Sequence, residues 1–148
     1  MTPGDLDDVL DAIVRDCFCL GSRMTARAVT RAYNEVLAPL DLEVTEFTLL
    51  GVVARGRGGS ITDLAERLAY ERTTLVRNFK RLVERGLIER DGDRGRAVNY
   101  RLTPAGRALL DQAVPKWQAA QRATTERLAS GQATAVRHAL EALRRAVR

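Results

Sequence analysis

Apolar residues return at three- and four-residue intervals along most of the chain, with one short interval of alternation. From Leu6 to about Leu37 the rhythm runs through Leu10, Ile13, Val14, Cys17, Met24, Val29, Tyr33 and Val36, the spacing of an amphipathic helix. It predicts one long helix or a broken pair, with Gly21-Ser22 as the site of a bend. Pro39 ends it, because proline disfavours helical geometry at Ala38. At roughly 1.5 Å per residue such a helix would measure about 45 Å, longer than a fold of this size needs. Part of it is therefore expected to pack on a second subunit.

Thr45 is expected to cap the next helix, with Glu46 favourable in its first turn and Phe47, Leu50, Val53 and Ala54 facing inward. Gly56 to Gly59 stop it. Ser60 then caps a short helix, with Asp63 in a capping-box arrangement and Ile61, Leu64, Ala65 and Leu68 buried. A link around Ala69 to Glu71 leaves room for the turn between two packed helices. The second of these, about 72–85, has two faces. Leu75, Phe79, Leu82 and Val83 form an apolar stripe with Val76 at its edge, while Thr73, Thr74, Arg77, Lys80 and Arg81 lie opposite. Only Glu84 opposes the charge there, and all five, Lys80 and Arg81 included, are expected to face DNA with the wing arginines Arg94 and Arg96.

Gly86 stands where a helix end needs a positive φ. Leu87 to Arg90 and Ala97 to Leu102 read as two short strands about a polar tip that carries Arg94 and Arg96. A basic hairpin beside two angled helices can reach into a minor groove or along a phosphate backbone. Thr103-Pro104 opens a further helix, bent near Pro115, and Ser130-Gly131 break it. The last helix carries Val136, Leu140, Leu143 and Val147 in a narrow seam suited to pairing with another helix.

The chain has 148 residues, enough for one domain with its own core. Lysine and arginine number 24 against 19 aspartates and glutamates, a net charge of +5, which favours a polyanionic partner. No apolar run approaches the roughly 18–20 residues of a membrane span, and the acidic start has no signal-peptide core behind it. A soluble cytoplasmic protein without a membrane partner is expected. Two cysteines and one histidine supply neither a disulfide framework nor a zinc ligand set. There is no phosphate-loop lysine motif and no Gly-x-Ser-x-Gly, and Gly56-Arg57-Gly58-Gly59 follows no strand. No catalytic residue, metal or cofactor is predicted.

The expected fold is mainly α with a small β-wing. A winged helix-turn-helix lobe over about 45–103, with its wing over about 87–102, joins a helical dimerisation region built from both chain ends, about 6–38 and 104–148. Several stretches carry a resemblance that covers nearly the whole chain: Ile61-Thr62-Asp63-Leu64-Ala65, Arg72 to Arg77, Leu82-Val83-Glu84-Arg85-Gly86-Leu87-Ile88, and Leu102-Thr103-Pro104-Ala105-Gly106 after a basic wing. Together they resemble the MarR-type winged-helix transcriptional regulators. The resemblance implies a homodimer in which both chain ends interlock and two recognition helices enter successive major grooves of a pseudo-palindromic operator in double-stranded DNA, spaced about 34–36 Å apart. It further implies a repressor released by a small ligand or an oxidant. By the same resemblance Thr73, Thr74 and Arg77 sit where the family touches base edges and phosphates, and Arg96 aligns with the family's wing arginine. Two residues earlier, where the family usually has an aspartate that steadies the wing, this chain has Arg94.

Cys19 looks like the reactive cysteine of the organic-hydroperoxide branch of this family, and Tyr33 matches one of its two hydrogen-bonding tyrosines; the other position carries Arg23. Along one continuous helix Cys19 and Tyr33 would stand about 21 Å apart, so contact between them would have to cross a dimer interface. Cys17, in register with Ile13 and Met24, reads as a small core residue. It lies about 200° from Cys19 around a helix and cannot bond to it without unwinding. Cys19, Tyr33 and Phe47 are the candidate walls of an effector pocket. The competing reading is a helical dimerisation or adaptor module whose winged helix binds protein.

Overall fold

The N-terminal periodicity resolves into a broken pair, α1 (Pro3–Asp16) and α2 (Phe18–Leu37), in a computed structural model that describes residues 3–56, 60–90 and 100–147. The break falls at Cys17, not at Gly21-Ser22. Cys17 has extended backbone, φ −71° and ψ 111°, whereas Gly21 lies inside α2 and its N–H donates to the Cys17 carbonyl at 3.0 Å. A glycine costs a helix interior only about 1 kcal/mol, too little to break a helix of 20 residues. Cys17 is half-buried and Met24 is exposed, so neither belongs to the core. The second half of α2 does reach it, through Tyr33 and Leu37.

A short 3-10 turn, Ala38–Leu40, holds Pro39 and leads through the left-handed Asp41 into α3 (Val44–Ala54). Its cap is Glu43 rather than Thr45. One reason is tertiary and one local: the Val44 N–H donates to Asn34 Oδ1 on α2 at 2.8 Å, and the Glu43 N–H donates to Glu46 Oε2 at 3.2 Å within a capping box. Two of the donors orphaned at a helix start are thus satisfied at Glu43 and Val44, ahead of the threonine.

Next come α4 (Ile61–Leu68), α5 (Arg72–Glu84), the antiparallel strands β1 (Ile88–Arg90) and β2 (Tyr100–Leu102), α6 (Pro104–Arg127) and α7 (Gln132–Ala146). The strands pair Ile88 with Leu102 and Arg90 with Tyr100. The fold is mainly α, and this small sheet is the base of the wing. Residues 91–99, Arg94 and Arg96 among them, lie outside the described residues.

The core sits where α2, α3, α5, β1 and α6 meet, on Leu37, Leu49, Leu50, Leu75, Leu82 and Ile88. Phe79 is buried with its ring stacked on Tyr100, centroids 4.9 Å apart and planes within 10°. Val83 and Val76 remain 40% and 44% exposed. The buried stripe of α5 is therefore narrower than its sequence predicts, one side chain per turn at Leu75, Phe79 and Leu82. Thr103 caps α6 as expected, its Oγ1 accepting from the Gly106 N–H at 3.0 Å. That helix runs through Pro115 as one element, although proline offers no N–H to the carbonyl four residues before it.

Large apolar side chains face solvent on α1, α2 and α7: Ile13, Val14, Phe18, Met24, Val136 and Leu140 are all more than two-fifths exposed. No residue of α7 is buried. Among the described residues no helix is long and apolar enough to cross a membrane.

Candidate nucleic-acid interface

The lobe is built by two short helices held at fixed ends. Ser60 and Asp63 close a reciprocal capping box on α4: Ser60 Oγ accepts from the Asp63 N–H at 3.1 Å, and Asp63 Oδ2 accepts from the Ser60 N–H at 2.9 Å. These bonds, the backbone one foremost, hold the Asp63 carboxyl below the usual carboxylate range, with a smaller contribution from Arg67. At the other end Ala69 adopts a left-handed conformation, φ 55°, and the Tyr70 N–H reaches back to the Ala65 carbonyl at 2.9 Å. This sharp exit sets the angle at which α5 leaves.

Because Leu75, Phe79 and Leu82 are buried, the opposite side of α5 must look outward. Thr73, Arg77 and Lys80 are exposed there and Thr74 is half-buried. Lys80 is paired with Glu84 at 3.6 Å, both side chains well exposed, a contact worth about 0.5 kcal/mol at most and readily exchanged. Arg81 differs. Although its side chain is 52% exposed, its Nε faces Glu46 Oε1 at 3.2 Å, and the Glu46 side chain is only 2% exposed. Arg85 joins the same carboxylate, Nη1 donating to Glu46 Oε2 at 2.9 Å and Nη2 to the Asp41 carbonyl at 2.6 Å. On the wing base Arg101 pairs with Glu89 at 3.1 Å.

Glu46 and Arg85 are not among the site residues that the sequence singles out. A signal is present, since Glu46 stands at helical spacing from Leu49, Leu50 and Val53, and a carboxylate on an apolar stripe needs a buried counter-charge. The partners come from a helix some forty residues on, which no local pattern supplies.

Of the three effector candidates, Tyr33 and Phe47 meet α6 one turn apart, whereas Cys19 stands near the start of α2, far along that helix from Tyr33. Tyr33 is buried and its hydroxyl donates to Gln121 Oε1 on α6 at 2.5 Å. Cys19 is exposed on α2, and both cysteines are free thiols. Phe47 lines a cleft of about 740 Å³ between α3 and α6 with Val52, Val114, Trp117, Arg55 and Arg67, its ring 6.0 Å from that of Trp117. The Trp117 wall of this cleft depends on how α6 crosses α3, which the apolar stripe of α6 does not reveal.

The winged helix DNA-binding domain family matches residues 42–106, the span from the end of the 3-10 turn to the start of α6. The M. tuberculosis transcriptional regulator MosR is similar in structure, with 32% identity, TM-score 0.79, and 90% of this chain and 97% of that chain covered. The same protein in complex with DNA gives 33% identity and TM-score 0.77 over 89% of this chain and 96% of that one. E. coli MarR bound to operator DNA, at 24% identity and TM-score 0.74 over 88% and 97% of the two chains, shares the fold. The HTH-type transcriptional regulator TtmR of Methylorubrum extorquens (strain PA1) is 33% identical over 93 residues, 62% of this chain and 48% of that protein. The chain thus spans about half the length of that curated relative. With the wing base, the capped helix pair and these similarities in place, the chain belongs to the MarR-type winged-helix family of DNA-binding transcriptional regulators.

Proposed function

We propose that this chain works as a homodimer on a pseudo-palindromic operator in double-stranded DNA, with the lobe over about 45–103 reading DNA and the chain ends holding two lobes at the required spacing. The observation that carries the reading is the division of α5, with Leu75, Phe79 and Leu82 buried and Thr73, Arg77 and Lys80 outward. Such a face suits base edges and phosphates in a major groove. Thr74 at its margin, and Arg94 and Arg96 on the wing, would complete the contact. The exposed apolar side chains of α1, α2 and α7 support the dimer, since a lone chain leaves them in water.

In this reading the protein is a cytoplasmic repressor released by a small ligand or an oxidant. The cleft against Phe47 and Trp117 suits an aromatic ligand, with Arg55 at hand for an acidic group. A ligand there acts by favouring one spacing of the two lobes, and about 1–3 kcal/mol of coupling gives a 5–150-fold loss of operator affinity. Cys19, exposed on α2, is the candidate for an oxidant.

The test is a gel shift on the promoters of its own and neighbouring genes across a salt series. A sequence-dependent, salt-sensitive shift is expected. A stable dimer that shifts no duplex would favour the adaptor reading instead.

A further inference from the structure

Arg81 lies on the outward side of α5, yet its charge is already engaged. Glu46 is 2% exposed, and no hydrogen bond reaches its Oε1 among the described residues. The positive charge facing that oxygen is Arg81 Nε at 3.2 Å, close enough for an ion pair though not aligned as a hydrogen bond. Oε2 is served separately, by Arg85 Nη1 at 2.9 Å and by the Glu43 N–H at 3.2 Å. Drawing Arg81 away to a phosphate would leave a buried carboxylate oxygen facing neither a donor nor a charge, which is unfavourable.

From this we propose that Arg81 is a positioning residue, which through Glu46 fixes the rotation of α5 against α3 and is held back from DNA while Arg77 and Lys80 face it. The inference rests on the DNA-binding reading above. Arg81 and Arg85 stand one helical turn apart at the end of α5 and grip a single carboxylate on α3. A grip at two points along a helix resists turning about its axis as well as sliding. Rotation matters here because successive residues are about 100° apart, so a modest turn moves Arg77 off the bases that it faces. Asp41 anchors the far end, its carbonyl and carboxylate both within reach of Arg85 Nη2.

The experiment uses the full chain and a duplex selected from a random-sequence pool by the parent protein, with a scrambled duplex as control. Arg81→Gln is expected to weaken the selected duplex on the order of tenfold. The slope of log affinity against log salt should stay unchanged, because no phosphate contact is lost. In a Glu46→Gln background the same substitution should matter less than about twofold. A slope shallower by about one, with equal losses on both duplexes and in both backgrounds, would make Arg81 an ordinary phosphate contact and overturn the proposal. Amide hydrogen exchange of the free protein supplies a readout independent of DNA: Arg81→Gln should speed exchange over the last turns of α5 in the parent and not in Glu46→Gln. Unchanged exchange in the parent overturns the grip. If the parent selects no duplex, the DNA reading fails, and this exchange arm still decides the grip. If Glu46→Gln does not fold, the salt slope and exchange of Arg81→Gln alone decide.

Discussion

The α-carbon of Gly106 sits so close to the Leu87 carbonyl that a Cβ built on it would collide with that oxygen. Around this contact the first turn of α6 is fastened to the end of the lobe: the Thr103 hydroxyl donates to the Gly86 carbonyl at 2.6 Å and the Thr103 N–H to the Leu87 carbonyl at 3.1 Å. The junction joins the helix that leads to the C-terminal region directly to the strand that begins the wing.

Gly106→Ala is therefore expected to destabilise the protein by about 1–3 kcal/mol, the range for overpacking a close contact. The obstacle is backbone, which cannot swing aside. Urea unfolding of parent and variant would measure it, and an unchanged midpoint would mean that α6 and β1 separate freely. Thr103→Ser keeps the bonding hydroxyl and should be far milder, whereas Thr103→Val should lose about 1 kcal/mol or more with the cap.

Arg77 is exposed on the outward face of α5 and stands clear of the Glu46 grip. Arg77→Ala is expected to weaken specific sites by about 1–3 kcal/mol and random DNA much less. Fluorescence anisotropy on both duplexes at two salt concentrations checks this. Equal losses on the two would reduce Arg77 to a backbone contact.

The sequence shows the elements well and their partners poorly. The capping box at Ser60 and Asp63, the positive φ at Gly86 and the Thr103-Pro104 start are legible because each depends on a few neighbouring residues. The features that escape it depend on distance. The α3 cap moves to Glu43 because Asn34, on another helix, reaches Val44. Angle alone puts Val83 in the core, yet α5 meets its neighbours over a narrower contact and leaves that valine exposed. The role of Glu46 is hidden for the same reason, its two arginines arriving from the end of α5. The break at Cys17 has no local signature stronger than Gly21, which the helix absorbs.

Asp63 gives a pH dependence with a definite sign. Its carboxyl is held below its ordinary value chiefly by the Ser60 backbone bond, so the folded state favours the ionised form. That contribution is present in full above the ordinary carboxylate range and disappears as pH falls through the lowered value, in the region below about pH 4. Being exposed, the group makes a small contribution. An NMR titration of the Asp63 carboxyl should place its midpoint below the ordinary aspartate value, and Ser60→Ala, which removes the hydroxyl but keeps the backbone N–H, should raise it only in part. A midpoint at the ordinary aspartate value in the parent would contradict the capping bonds as its cause.

The oxidant reading is decided at Cys19, an exposed thiol. If oxidation there releases the operator, organic hydroperoxide should abolish the gel shift of the parent and a thiol reductant should restore it. Cys19→Ser should bind DNA as the parent does and ignore the peroxide. Release that persists in the serine variant excludes Cys19 and leaves Cys17, the other free thiol, as the candidate.

The proposed dimer is open to a direct test at the chain ends. Ile13 on α1 and Leu140 on α7 are 50% and 54% exposed, and neither belongs to the cluster around Leu49 and Leu75. Burial of the remaining half of each against a partner contributes on the order of 0.8–1.5 kcal/mol, and an interface takes the substitution twice. Ile13→Glu with Leu140→Glu should therefore lower the dimer fraction by several orders of magnitude in affinity, seen by sedimentation at micromolar concentration, with Phe79 and Tyr100 still stacked and the lobe still folded. On the proposed reading operator binding should fall with it, because a single α5 would meet only one half-site and forgo the second groove. A double variant that stays dimeric would show that the two lobes are held together elsewhere.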